Sequence, residues 1–498
     1  MSARKTLRVE TVAQAYLELL RERGVDCFFG NAGTDFASIL DAFARFAAEG
    51  RMAPRPVLVA HEHVALSMAH GYYLATGRPQ VVMVHVTVGT ANAIGAIINA
   101  ARSQTPVLFT AGRTPVTEDG SLPGSRDTHI HWAQEAFDQA GMLREFVKWD
   151  YELRQPSQLE AVVDRALEVA MAEPRGPVYL TLPREVLAHP VGEMSIAVPA
   201  RRRVDSRRFP DPARIEEAAE ILATAEAPLI VTSEAGRDPA AVTGLVAVAE
   251  AAAAAVVEMA AVHVNFPADH PCHAGHGFGP QSPPLVGEAD AILVVDCDVP
   301  WFPSRVRLRE DARVIHLAVD PFFTRYPMRS YPCDVPIAAE PAAALPVLAE
   351  AVRRRARPEV VAARRARLEV AHRAAGAEAE AAARAEGARV PIGFRWATRC
   401  VGEVLDGATV VVNEYPLDLR HVGFNRPGSY FGSSHAGGLG WGLGAALGVK
   451  LGAPDRTVIA TVGDGSYFFA VPTACHYAAQ MHGLPILTVV FNNSSWDA

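Results

Sequence analysis

Gly463-Asp464-Gly465-Ser466 closes one apolar run, TVIATVG (457–463), and Asn492-Asn493 closes the next, PILTVVF (485–491), with 26 residues between Gly465 and Asn492. One helix fits that interval, so the two polar groups reach adjacent strand ends of a parallel sheet, where open α/β sheets bind ligands. A carboxylate and an amide oxygen are hard ligands suited to Mg2+, an ion that keeps water and bridges phosphates. Gly463, Gly465 and Ser466 lie where the strand turns into a helix, and helix N-terminal N–H groups favour a phosphate. A lone GDG is also a common turn. The order strand, GDG, helix, strand, NN is what gives it chemical meaning.

Those strand ends need a sheet to hold them, and the chain supplies three sets of alternating elements. In residues 1–190, strand-like apolar runs occur at 26–30, 56–61, 80–86, 106–112 and 177–183. Val12, Tyr16 and Leu19/Leu20 recur at helical spacing before Gly24, and a second helical pattern follows Glu62. Apolar runs without polar alternation suit a parallel sheet covered on both faces. A second α/β unit is expected over 207–345 and a third over 390–498. Between the first two, 191–212 carries Pro and clustered Arg and reads as a solvated linker; 346–388, rich in Ala, Arg and Glu, reads as a connecting helix. The predicted fold class is therefore α/β, with three consecutive doubly wound parallel-sheet domains. The third shows only three strands and no closing helix, and is expected to be C-terminally incomplete.

Composition narrows the function classes. Half of the 498 residues are hydrophobic and 20% are charged, which excludes a disordered chain. The six cysteines include no CxxC pair, which argues against structural zinc and for a reducing compartment, so a cytoplasmic location is expected. A net charge of -8 gives no general attraction to nucleic acid, and no apolar stretch approaches a membrane span.

The GDG…NN arrangement resembles the signature of the thiamin diphosphate-dependent decarboxylase and acetolactate synthase superfamily. The resemblance implies thiamin diphosphate and Mg2+ as cofactors, with Asp464, Asn493 and the carbonyl of Ser495 around the metal. It also names the three domains as pyrimidine-binding, central and diphosphate-binding. In this superfamily a Glu at the start of a helix in the first domain acts on the cofactor's aminopyrimidine, and Glu62, after VLVAH, has that setting. On its own, Glu62 reads more readily as a helix N-terminal charge favoured by the dipole.

Several segments are similar to the benzoylformate decarboxylases within that superfamily: FGNAGTDF (29–36), HVTVGTANAIGA (85–96), DHPCHAG (269–275) and NRPGSYFGSSHAGGLGWGLGAALG (425–448). The similarity implies that His85 and His270 relay protons, imidazole being suited to that near neutral pH. It places Thr34 on the substrate carboxylate, Leu439 as the prop that bends the cofactor, and the Gly437 carbonyl on its amino group. Asn413-Glu414 resembles the family's Asn-Glu, but Tyr415-Pro416-Leu417 follows where hydroxyl residues would touch the diphosphate. The stretch associated with FAD in acetolactate synthases is missing; DCDVPWFPSR (296–305) stands there, so no flavin is expected.

The implied reaction is non-oxidative decarboxylation of a 2-oxo acid to an aldehyde by a homodimer or homotetramer with shared active sites. Two alternatives remain at this stage, an acetolactate synthase-like carboligase and a cofactor-binding relative without turnover. A dinucleotide fingerprint at Gly440–Ala445 is disfavoured because Asp455 follows too soon. His270, His273 and His276 carry metal-ligating groups, but Pro271 and Gly275 argue against their sharing one helix face.

Overall fold

The computed structural model describes residues 3–200, 207–277 and 283–495. They form two compact units: Met1–Asp205 with Val411–Tyr415 and Ser433–Ala498, and Ser206–Val410 with Pro416–Gly432.

In the first unit the predicted apolar runs become one six-stranded sheet. Its strands stand in the order Arg55–Leu58, Cys27–Gly30, Gln80–Val84, Val107–Arg113, Val178–Pro183, Asp150–Glu152, and every pair is parallel. Cys27–Gly30, Gln80–Val84 and Val178–Pro183 are buried throughout, as expected of strands covered on both faces. Helix Val12–Glu22 is capped by Thr11, which accepts from the Gln14 N–H, and it buries Val12, Tyr16, Leu19 and Leu20.

The segment expected as a linker differs from expectation. Ala3–Thr11 and Pro190–Val198 form an antiparallel ribbon, so the first part of 191–212 is a strand and not a linker. Only Leu7, Val9, Ile196 and Ala197 of that ribbon are buried, and its charged alternate positions read as solvated chain. Residues 201–206 of the same segment lie outside the described residues.

The C-terminal part of this unit sets Thr409–Glu414, Thr457–Gly463 and Leu487–Phe491 side by side in that order. The single helix expected near 467–482 is two, Asp464–Phe469 and Pro472–His482. Pro472 has no N–H for the preceding turn, and Val471 breaks the helix at φ 50.

Helix Trp441–Gly452 packs along helix Glu62–Thr76 through small residues. A Cβ at Gly71 would fall on the Ala445 carbonyl, one at Gly448 on the Met68 carbonyl, and one at Gly444 within 2.7 Å of the Ser67 Cβ. Glycine here lets two backbones touch, and that contact joins the N-terminal and C-terminal domains of the unit.

The second unit is built on another six-stranded parallel sheet. Its order is His273–Gly277, Ala255–Met259, Pro228–Thr232, Ala291–Val295, Arg313–Ala318, Val335–Ala338. The helix expected over 346–388 is two, Pro341–Arg355 and Pro358–Ala385, because Pro358 starts a new helix. The three consecutive parallel-sheet α/β domains expected from the sequence are thus present. Among the described residues, no helix is long and apolar enough to cross a membrane.

Candidate active site

Strand register decides whether Asp464 and the Asn pair can meet. Thr457–Gly463 and Leu487–Phe491 run parallel, with Gly463 opposite Phe491, so Asp464 and Asn492 leave neighbouring strands at the same level. Asp464 is the first residue of its helix, and its Oδ1 accepts the Gly465 N–H at 3.0 Å. Beyond the second strand, Asn492 Oδ1 accepts the Ser494 N–H at 2.8 Å and Asn493 Oδ1 accepts the Ser495 N–H at 3.0 Å. Ser494 takes φ 53, which turns the loop sharply at these residues. Asp464, Asn493 and Ser495 thus each carry oxygen atoms at this end of the sheet, the donor type that Mg2+ prefers. Ser466, one turn into the helix, is buried.

Behind that edge, the Asn-Glu pair has a different task from phosphate binding. Asn413 Oδ1 accepts from Thr461 Oγ1 at 2.9 Å, tying adjacent strands. Glu414 is fully buried and accepts from the Gly440 and Gly442 N–H groups at 2.7 and 2.5 Å. It therefore fastens the start of helix Trp441–Gly452. Burial pushes its carboxyl up to about 7, against the pull of those N–H groups.

The turn before that helix holds the predicted cofactor residues. Gly437 has φ +67 and Gly440 φ +91, conformations that favour glycine. Asn99 grips the turn through both backbone groups of Gly438: its amide donates to the Gly438 carbonyl at 2.7 Å, and its Oδ1 accepts the Gly438 N–H at 3.1 Å. Gly437 is left exposed and Leu439 half-buried.

Glu62 opens helix Glu62–Thr76 and is 8% exposed. The Asn92 amide donates to its Oε2 at 2.8 Å. A Cβ at Gly89 would lie 3.4 Å from Oε1, so helix Val86–Asn92 passes close by. The next residue, His63, interacts with the Gly440 backbone, and burial pushes its imidazole down to about 4. Through His63 with Gly440 and Asn99 with Gly438, the structure brings the Glu62 helix to the 437–440 turn within one chain.

A second polar group gathers around His85. Its Nδ1 lies 2.6 Å from Oδ1 of the buried Asp35, and its Nε2 lies 3.1 Å from the Gln134 amide nitrogen. Asp35 Oδ2 also accepts the Val86 N–H at 3.2 Å, and Val86 takes φ 32 in the bend after His85. Thr34 Oγ accepts from the guanidinium of Arg126, which also reaches Gln134 Oε1 at 3.4 Å. Burial, with Arg184 nearby, lowers the pKa of Arg126.

Sequence reasoning picked out Thr34 and His85 here but not Asp35, Arg126 or Gln134. Asp35 was within reach, being next to Thr34 in FGNAGTDF. Arg126 and Gln134 sit between regular elements and carry no periodic signal.

His270 lies in the second unit. Its Nε2 is 3.5 Å from Glu250, its Nδ1 accepts the Cys272 N–H at 3.1 Å, and its ring packs edge-on against Phe266. None of these partners is a predicted site residue.

Comparison with known proteins gives one answer along the chain. Residues 10–142 match the N-terminal TPP binding domain of thiamine pyrophosphate enzymes, 215–348 their central domain, and 416–498 their C-terminal TPP binding domain. A benzoylformate decarboxylase of Pseudomonas aeruginosa is 32% identical over 508 aligned positions, covering 98% of this chain and 87% of the relative. The acetolactate synthase large subunit of Parasynechococcus marenigrum is 25% identical, covering 97% of this chain and 76% of the relative. The fold is shared with a thiamine diphosphate-dependent 4-hydroxybenzoylformate decarboxylase of Rhodococcus jostii, at TM-score 0.75 and 24% identity, over 98% of this chain and 86% of that one. The three matched domains and the 32% identity over nearly the whole chain agree: the chain belongs to the thiamin diphosphate-dependent decarboxylase and acetolactate synthase family.

Proposed function

We propose that this chain removes CO2 from a 2-oxo acid without oxidation and releases the aldehyde, using thiamin diphosphate and Mg2+. The observation that carries the reading is the meeting of the buried Glu62 helix with the 437–440 turn. The cofactor, when bound, supplies the electron sink that accepts the pair left by departing CO2.

The chain's own residues have separable tasks. Asp464, Asn493 and the Ser495 carbonyl hold the metal, while Gly463, Gly465 and Ser466 line the helix start that faces the phosphates. The Gly437 carbonyl would accept from the cofactor's amino group and Leu439 would pack against the cofactor. Glu62, kept from water and steadied by Asn92, holds a proton at the pyrimidine nitrogen. Thr34 and Arg126 present a hydroxyl and a cation to the substrate carboxylate. His85, oriented by Asp35 and Gln134, moves a proton at the reacting carbon. His270, which meets Glu250, Cys272 and Phe266 in its own unit, is proposed as the second proton relay beside His85.

A homodimer or homotetramer is part of the proposal. The same helix seam made between two copies would build the site from both. The free state of all six cysteines supports a reducing, cytoplasmic setting.

The test is a panel of aromatic and aliphatic 2-oxo acids supplied with thiamin diphosphate and Mg2+, scored for CO2, free aldehyde and C–C coupled product. Free aldehyde as the main product supports the proposal. Coupled product without free aldehyde establishes a carboligase of the acetolactate synthase kind instead. A chain that binds the cofactor but turns over none of the acids is a relative without catalysis.

A further inference from the structure

Far from the residues assigned above in sequence, the second unit gathers three metal-ligating side chains inside its sheet. Glu258, His273 and His276 each offer one ligand atom, and these atoms all lie within 4.8 Å of one another. His273 Nε2 is 3.2 Å and His276 Nδ1 is 3.8 Å from the same oxygen, Glu258 Oε1. Three ligands on a tetrahedron with bonds of about 2.0–2.1 Å stand roughly 3.3 Å apart, so small adjustments would seat an ion.

Backbone geometry, and not chance, puts the two imidazoles on one side. Residues three apart on a regular strand face opposite sides of the sheet. Here His273 pairs with Val256 while His276 pairs with Glu258, three residues on one strand against two on its neighbour. The extra residue is absorbed at Gly275, which takes φ +108. A bulge of this kind re-aims a side chain, and it returns His276 to the face of His273 and Glu258.

The surroundings hold the ligands in place. Asn265 donates to Glu258 Oε2 through its backbone N–H at 3.0 Å and its amide at 2.9 Å, which leaves Oε1 to the histidines. Support of this kind orients a ligating carboxylate. His372 Nδ1 lies 2.9 Å from the His273 carbonyl. His276 Nδ1 is buried and has no hydrogen-bond partner among the described residues. Beside Glu258 and His276 lies a small cavity, also lined by His263, Val264 and Tyr430, with room for about one water molecule.

We propose that Glu258, His273 and His276 form a binding site for a divalent transition ion of the zinc class, separate from the magnesium ligands. Two imidazoles and a carboxylate suit zinc, and the cavity leaves a fourth position for water. Binding by the Glu258 carboxylate and the two imidazole rings involves no change in oxidation state.

The full chain, saturated with thiamin diphosphate and Mg2+ so that the other metal site is filled, is titrated with Co2+ and read by visible absorption. A parallel sample is loaded with Zn2+, desalted and analysed for metal. Uptake of about one ion per chain with the spectrum of tetrahedral Co2+ is expected, with affinity at least about 10-fold weaker in His276→Gln and in His273→Gln. Zn2+ should also raise the melting temperature of the wild-type chain, a readout that holds even where a variant folds poorly. The proposal is overturned if the wild-type chain takes up neither ion, or if a folded H273Q/H276Q chain retains both uptake and spectrum.

Discussion

Oδ1 of Asp35 lies 2.6 Å from Nδ1 of His85, and Asp35 is 1% exposed. A buried carboxylate there assigns the ring proton to Nδ1, and the Gln134 amide nitrogen at 3.1 Å fits a lone pair on Nε2. Asp35→Asn should therefore lower kcat by about 10- to 100-fold with little change in KM. Steady-state kinetics of D35N, H85Q and the double variant check this. The losses should be far from additive, because both changes disable the same ring.

Glu62→Gln should still bind thiamin diphosphate, because the metal and phosphate residues are untouched. Turnover should fall by about 100-fold or more. Calorimetry follows binding, and NMR follows exchange of the cofactor's C2 proton with D2O. Normal exchange in E62Q would remove the role given to Glu62.

Asp464→Ala and Asn493→Ala should each weaken cofactor binding by at least about 10-fold, since each removes an oxygen from the proposed metal shell. Removing Mg2+ with a chelator should do the same to the wild-type chain. Quenching of tryptophan fluorescence by added thiamin diphosphate is a suitable readout.

Glu414 makes stability depend on pH in a direction set by its raised pKa. Burial lifts the carboxyl from 4.5 to about 7, so the folded chain holds this proton more tightly than the unfolded chain. Its contribution is complete below the unfolded value and is lost as pH rises through 7. The full difference corresponds to roughly 3 kcal/mol. Urea unfolding at pH 5 and pH 8 should show that component in the wild-type chain and not in Glu414→Gln, which has no proton to lose.

Gly71→Ala and Gly448→Ala place a methyl group against a carbonyl of the facing helix. Each should destabilise the first unit by roughly 1–3 kcal/mol, the range for an overfilled core. Gly77→Ala, on the same helix's C-cap with open space around it, tests the strain of φ +69 alone and separates the two causes. Thermal unfolding of the three variants gives the comparison.

Much of this was legible where chemistry and periodicity coincide. The apolar runs at 80–86 and 177–183 announce buried parallel strands, and Gly463-Asp464-Gly465 marks a strand end. The ribbon of Ala3–Thr11 with Pro190–Val198 was hidden, because its charged alternate residues resemble solvated chain. Arg126 and Gln134 reach the His85 cluster from irregular backbone, where spacing carries no information. The histidines at 273 and 276 were weighed as ligands on a helix face, and Gly275 counted against them. On a strand the same glycine brings them together, and Glu258 comes from the adjoining strand.

The glycine-lined contact between helices Glu62–Thr76 and Trp441–Gly452 has a bearing on how new specificities arise. Its geometry is fixed by main chain resting on main chain, and the proposed substrate contacts Thr34 and Arg126 take no part in it. The placement of the Glu62 helix against helix Trp441–Gly452 is thus insulated from exchanges at Thr34 and Arg126. One chassis of this kind can carry many proposed pockets while the helix that opens with Glu62 stays in register.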